Sequence, residues 1–350
     1  MVVDGKQRQR NTLLNWYEAN RRVLPWREDP SAYHVWISEI MLQQTRVEAV
    51  LGYYERFLQA LPDIPTLAAA PEDQCLKLWQ GLGYYSRVRN LRKAAEIVVS
   101  EYGGVLPPEP EKLRKLPGIG RYTAAAIASI SFGKRIPAVD GNLLRIWARQ
   151  TAYAGNISAN SAVREAEQFY LPILPEENPG DANQALMDLG AMVCLPQRPR
   201  CTQCPWEADC AACAKGVPED YPVKNSAARR KIQKRTVFLI LFNGAVALQK
   251  RPDKGLLAGL YELPSAEGHL TRQQALSWLR RRNVEALRIE RMPESKHVFS
   301  HLEWHMIGYR VLAGAWPDPP DRYIFATLRQ REEEYALPSA FAVYLNQADY

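Results

Sequence analysis

The chain has 350 residues, 47% of them hydrophobic, enough to bury more than one core, so two domains are expected. No apolar run approaches the ~18 residues of a membrane span, and the polar start MVVDGKQRQR lacks the apolar core of a secretory signal. These features exclude a spanning protein and set the expectation of a soluble, cytoplasmic one with no membrane partner. The formal charge of +7 favours a polyanionic partner, although a basic balance is also what plain solvated surface gives.

From Thr12 to about Ala214 the apolar spacing is helical, with loops marked by Pro and Gly and no strand-like alternation, so an all-α domain is expected over residues 1–217. Trp36, Ile40, Val47, Val50 and Tyr54 share one helical face. Thr45-Arg46-Val47-Glu48 reads as a capping box that splits this run, predicting two helices with a bend near Gln43-Gln44. Pro62 and Pro65 should end the second, and Pro71-Glu72-Asp73 should open another carrying Leu76, Leu78 and Trp79 inward. Gly81 to Tyr85 then forms a loop before a helix from Arg87 to Ser100.

Further along, Leu113 and Leu116 close a short helix, Pro117-Gly118 turns the chain, and Gly120 leaves bare backbone before a second helix starts at Arg121. N–H groups exposed at such a helix start suit a phosphate, although an ordinary αα-turn has the same residues. Asp140 precedes Gly141-Asn142-Leu143-Leu144-Arg145-Ile146-Trp147, an N-cap position at which the helix dipole should keep it ionised. Of six cysteines, five fall in residues 194–213. Cys194-x6-Cys201-x2-Cys204-x5-Cys210 places four thiols where one tetrahedral or cubane centre can gather them, which suits a reducing compartment. Cys201, Cys204, Cys210 and Cys213 form an alternative zinc set. Arg198 and Arg200 in that loop are either phosphate contacts or solvated charge.

Residues 218–234, with Pro218, Pro222, Lys224, Arg229, Arg230, Lys231 and Lys234, read as a basic linker. Beyond it, over 235–350, Val237–Phe242 and Ala245–Leu248 flank Asn243-Gly244, a strong hairpin signal. Thr271 to Arg282 looks helical and His297 to Val311 looks like a strand pair, so this domain is expected to be α+β.

Leu116 to Thr123 together with Val139-Asp140-Gly141-Asn142 resembles the helix-hairpin-helix DNA glycosylases. The segment Tyr33 to Thr45 and the cysteine spacing resemble their adenine-specific MutY branch, and the likeness covers nearly the whole chain. It implies a [4Fe-4S] cluster on Cys194, Cys201, Cys204 and Cys210, with Cys213 and Cys75 as spare thiols. Breaking a nucleoside C–N bond takes a proton for the base and negative charge for the sugar cation. Glu39, at the edge of the face set by Trp36 and Ile40, would read by itself as a surface residue. The resemblance makes it the acid that protonates adenine N7, and Asp140 the anion facing the sugar.

Relatives that also cut the strand carry a Lys where this chain has Tyr122, so a monofunctional enzyme is expected, with Tyr122 and Asn142 lining the pocket. The same likeness makes Gly118 and Gly120 phosphate-binding backbone and Gln44 and Tyr84 wedges for the gap left by a flipped base. It makes Gln184 a reader of the adenine edge, and Arg27 and Trp26 pocket wall. Gly255 to Pro264 looks like the entry to a Nudix fold whose Mg²⁺-binding Glu cluster is missing, and Phe299-Ser300-His301 stands where relatives recognise 8-oxoguanine. The expected partner is double-stranded DNA with adenine opposite 8-oxoguanine or guanine. The protein is expected to be a monomer, nucleoid-associated if bacterial. The rival readings are a bifunctional endonuclease III-like lyase, a non-catalytic DNA-damage binder and a nucleotide-pool hydrolase.

Overall fold

The computed structural model describes residues 2–223, 230–316 and 323–348, with side chains from Gly5 onward. Its contacts divide the chain into one unit of Met1–Ala68 with Lys93–Ser226 and a second of Ala69–Arg92 with Ala227–Tyr350. Among the described residues no helix is long and apolar enough to cross a membrane. Lys224 and Arg229 of the expected linker lie outside the described residues.

The first unit is helical, as the spacing predicts, but its first helix already runs from Val2 to Asn20. Ser31 caps the next long helix, Ala32–Leu42, by accepting the His34 N–H at 3.4 Å. Tyr33, Val35–Ile37, Ile40 and Met41 are all buried, so this helix is a core element rather than an amphipathic surface one. The bend at Gln43-Gln44 is present, yet the capping box is not. Gln44 turns through a positive φ of 59°, the Thr45 N–H bonds to Leu42 O, and the Thr45 hydroxyl reaches Gln43 O at 3.4 Å. The helix Val47–Ala60 therefore starts one residue late, from Arg46, without a side-chain cap. Pro65 likewise does not end that helix but sits in the first turn of the next, Ile64–Ala69, where its missing N–H costs nothing.

Further helices follow at Arg121–Phe132, Gly141–Thr151, Asn160–Tyr170 and Pro179–Met192. Leu13, Leu143, Ile146, Trp147, Tyr170, Leu186 and Leu189 form one continuous core between them. Burying such side chains stabilises by roughly 1.5–3 kcal/mol each.

The second unit is a seven-stranded sheet. Its strands are β1 (Lys231–Phe242), β2 (Ala245–Lys250), β3 (Tyr261–Glu262), β4 (Ser265–Glu267), β5 (Glu285–Val298), β6 (Leu302–Ala315) and β7 (Tyr323–Ala326). The order is β3-β2-β1-β6-β5, with β4 pairing β1 and β7 pairing β2; only β1 and β6 run parallel among these pairs. Asn243 and Gly244 both take positive φ, 49° and 76°, in the turn the hairpin signal predicts. β1 is apolar on both faces because both are covered. Val237 and Leu239 meet Leu337, Phe341 and Tyr344, while Phe238 and Ile240 meet Ala275, Trp278 and Leu279.

Three expectations are corrected here. β1 begins at Lys231, so the end of the expected linker is strand, fixed by its parallel register to Leu302 through Met306. The hairpin expected from His297 starts at Glu285, its polar outer face hiding the alternation. Residues Ala69–Arg92 group with the sheet unit and not with the helical one. Within that unit Lys77 Nζ donates to Arg331 O and Tyr335 O, and Arg89 pairs with Glu72 and donates to Asp253 O.

Candidate active site

The hairpin of the first unit is set by backbone. Leu116 and Ile119 N–H groups bond back to Leu113 O and Leu116 O, and Gly118 takes φ 80°, which favours glycine. Gly120 is the N-cap of Arg121–Phe132 and is exposed. A Cβ there would meet nothing within 4 Å, so the helix start opens to solvent with free approach for an anion.

Tyr122, the second residue of that helix, faces a cavity of about 880 Å³ whose walls also carry Glu39, Asp140, Asn142, Gln184, Gln44, Arg27 and Trp26. Eight residues scattered from 26 to 184 in the sequence thus share one space. Glu39 is only 6% exposed. Burial pushes its carboxyl up to about 7, against the opposing pull of a hydrogen bond from the Tyr122 hydroxyl; the negative Asp140 pushes the same way as burial. The Tyr122 hydroxyl also lies 3.8 Å from Met187 Sδ, the weaker of its two contacts. Its own ionisation is pushed well upward by burial and by both carboxylates, so it remains a neutral donor.

Asp140 is the N-cap of Gly141–Thr151. Its Oδ1 accepts the Leu143 N–H at 2.8 Å and its Oδ2 accepts Asn142 Nδ2 at 2.9 Å. The cap geometry is as expected. Burial raises the Asp140 carboxyl and outweighs the lowering by those donors and by Arg145. Arg145 holds the arrangement from behind, donating to Asn142 Oδ1 at 2.8 Å, Gly190 O at 2.8 Å and Cys194 O at 2.7 Å.

Sequence reasoning missed Asp188. It is fully buried and pairs with Arg22 at 2.6 Å and with Arg27 at 2.7 Å, which fixes the Arg27 guanidinium at the cavity wall. The available signal was an acid four residues after Gln184, on the same face of that helix. Asn183, also buried and missed, accepts the Ala138 N–H at 2.9 Å and donates to Ser129 Oγ and Ile136 O, holding the loop that leads to Asp140.

Tyr84, Phe299, Ser300 and His301 line a separate cleft of about 700 Å³ within the second unit. Tyr84 has φ 48°, is half exposed, and its hydroxyl lies 3.0 Å from Ser300 Oγ. Arg87 steadies the loop by donating to Leu82 O and Gly83 O. Phe299 is seated edge-on between His297 and Trp304, with centroids 4.7 and 4.9 Å away. Of the two expected wedge residues, Gln44 lines the first cavity, in the first unit, and Tyr84 lines this cleft, in the second.

Cys194, Cys201, Cys204, Cys210 and Cys213 all line one small cavity with Arg149. Burial pushes the Cys201 thiol up to about 11 and the Cys204 thiol up to about 12, and neighbouring thiols add to both. Arg149, 2% exposed, donates to Cys194 Sγ at 3.3 Å and also to Leu195 O, Pro196 O, Pro218 O and Tyr221 O. Soft thiols around one space with a cation aimed among them fit a soft-metal centre of negative charge. Among the described residues no group of three or more His, Cys, Asp or Glu is set closely enough to hold a metal ion, so the fit rests on the shared cavity and on Arg149.

Comparison with known proteins matches residues 37–171 to the family described as HhH-GPD superfamily base excision DNA repair protein, and residues 236–347 to the NUDIX domain. An adenine DNA glycosylase of Mus musculus is 35% identical, over 89% of this chain and 71% of the mouse protein. One from Buchnera aphidicola subsp. Acyrthosiphon pisum is 36% identical, over 84% of this chain and 83% of its own length. Among solved structures a thermostable thymine-DNA glycosylase aligns with a TM-score of 0.55 and 28% identity, covering 61% of this chain and 99% of that one. A trapped endonuclease III–DNA covalent intermediate, at 24% identity and a TM-score of 0.51, covers 60% of this chain and 98% of its own and shares the fold.

Proposed function

Because the chain belongs to the adenine DNA glycosylases of the helix-hairpin-helix superfamily, we propose that it excises adenine opposite 8-oxoguanine or guanine in duplex DNA and leaves the strand uncut. The observation that carries this reading is the pair of unlike carboxyls, Glu39 and Asp140, facing one cavity with Tyr122 between their helices. The Glu39 carboxylate is favoured by the Tyr122 hydroxyl and the Arg27 charge, whereas Asp140 has the Leu143 and Asn142 N–H groups, the Arg145 charge and the Asn142 side chain. A proton shared by such a pair belongs on Glu39.

The chemistry follows from that division. The adenine, turned out of the stack at a cost of a few kcal/mol, receives the Glu39 proton at N7. The C1′–N9 bond breaks with its electron pair leaving on the base. Asp140 faces the resulting sugar cation, and water adds to C1′ and gives up its proton to the Glu39 carboxylate, which restores the acid. Tyr122 has no amine to form a Schiff base, which supports hydrolysis over strand cleavage. Gln184 would read the adenine edge, with Arg27 and Trp26 as wall and Gln44 as wedge. The backbone at Gly118 and Gly120 would grip a phosphate, and Tyr84, Phe299, Ser300 and His301 would meet the opposite base. Cys194, Cys201, Cys204 and Cys210 would hold a [4Fe-4S] cluster, which supplies a local charge and a covalent tie for the loop.

Single-turnover adenine release from duplexes differing only in the opposite base tests the reading. Release from both mispairs, lost in Glu39→Gln and Asp140→Asn with duplex binding kept, is expected. Efficient borohydride trapping of an enzyme–DNA adduct would overturn the hydrolytic assignment.

A further inference from the structure

We propose that Trp304 and the buried charge cluster of Arg235, Glu262 and Arg251 are positioning residues for the Phe299-Ser300-His301 turn, and so set how strongly the protein tells 8-oxoguanine from guanine opposite the adenine. The proposal deepens the functional reading above and rests on that turn meeting the opposite base.

The turn joins β5 to β6, and of its three side chains Ser300 and His301 are exposed while Phe299 is half-buried. Main-chain bonds close it, with the Phe299 N–H donating to Leu302 O at 2.8 Å and the Lys231 N–H to His301 O at 3.3 Å. These bonds fix where the turn lies, and the seat of the Phe299 ring fixes how it presents the two polar side chains. That seat is Trp304, whose ring meets Phe299 nearly edge-on, at an interplanar angle of 71°.

Sheet register accounts for the hold on Trp304. It pairs with His297 of β5 on one side and Gln233 of β1 on the other, and its indole N–H donates to Gln233 Oε1 at 3.0 Å. Two residues along β1, on the same face, Arg235 brings its guanidinium carbon to 4.2 Å from the Trp304 ring centroid, and that of Arg251 lies 5.7 Å away. Cations withdrawn from water need a counter-charge, and one carboxylate serves both. Glu262, 4% exposed, pairs with Arg251 and stands 3.9 Å from Arg235, while its other oxygen accepts Gln249 Nε2 at 2.9 Å. Arg235 also donates to Ser265 Oγ at 2.9 Å.

The cluster reaches a second stretch of the cleft wall. Arg251 Nε donates to Leu256 O at 3.0 Å, and Leu256 lines the same cleft as the turn. None of Trp304, Arg235, Glu262 and Arg251 lines the cleft itself, so they act through Phe299 and Leu256 and not by touching a base.

The test is single-turnover adenine release at rising concentrations of the full chain, on duplexes with 8-oxoguanine or guanine opposite the adenine, giving a saturating rate and a half-saturating concentration for each. A well-set contact to a base edge discriminates by roughly five- to a hundredfold. Trp304→Leu should therefore raise the half-saturating concentration about tenfold on the 8-oxoguanine duplex and far less on the guanine duplex, with the loss there and not in the saturating rate. Trp304→Phe, which restores a ring, should recover most of it. Trp304→Leu added to Ser300→Ala should cost no more than Ser300→Ala alone, because both act at one turn. Equal loss on the two duplexes, an unchanged half-saturation, or additive losses in the double variant overturn the proposal. If circular dichroism shows that Trp304→Leu does not fold, Arg235→Met, with Arg235→Lys as its rescue, is read by the same criteria. A wild-type half-saturation that ignores the opposite base would refute the reading of the turn itself, a separate result.

Discussion

Replacing Glu39 by Gln separates the chemical role of this side chain from its cost to the fold. A carboxyl at about 7 in the folded protein, against 4.5 ordinarily, prefers its protonated form there by on the order of 3 kcal/mol. The sign follows from which state binds the proton more tightly. Because the folded value is raised, the folded state is favoured in full below pH 4.5 and loses that advantage as the pH rises to about 7. Glutamine carries no charge and escapes the loss. Between about pH 5 and about pH 8 the variant should gain roughly 2 kcal/mol on wild type, or ~4–8 °C in the melting of the helical unit. Urea and thermal melts followed by far-ultraviolet circular dichroism at both pH values measure it. The same substitution should lower single-turnover adenine release by at least ~10²-fold, the usual worth of a general acid. A variant that tracks the wild-type stability across this range shows that Glu39 is not a buried, raised acid. A variant that still releases adenine at the wild-type rate shows that it is not the proton donor.

Wild-type adenine release should fall about tenfold per pH unit above the Glu39 value of about 7, and should fall again on the acid side at a pH above 3.8, where the raised Asp140 takes up its proton; a pH–rate profile without the basic limb counts against the assignment. Asp188→Asn leaves Arg22 and Arg27 without a counter-charge. It should cost about 2–4 kcal/mol by denaturant titration, below the value for a fully buried pair because Arg22 keeps some water. Gly190→Ala places a Cβ 2.6 Å from Asn142 Cβ and 3.2 Å from its Cγ, which should push Asn142 off Asp140. Adenine release should then drop on the order of 10²-fold while the melting profile changes far less, and a wild-type rate would show that Asn142 does not set the position of Asp140.

Local signals determined much of this protein without its tertiary structure. Gly118 needs a left-handed backbone, Asn243-Gly244 needs a tight turn, Asp140 and Thr271 cap the helices that follow them, and each of these is encoded within four residues. The cysteine spacing likewise marked a common loop, since seventeen residues of sequence bring the four thiols to one cavity. Where a residue's role depends on distant partners, the sequence was silent or misleading. Glu39 reads as a surface residue until the Arg121–Phe132 helix covers it, and the burial that raises the Asp140 carboxyl against its donors is not encoded near Asp140. Tyr84 and Gln44 both take a positive φ in their loops, but that Tyr84 meets Ser300, over two hundred residues on, is set by tertiary packing. The division has a physical basis. Backbone conformation and capping are short-range and add up along the chain, whereas desolvation and charge pairing depend on which segments close over a group, and that is settled only when the whole core packs.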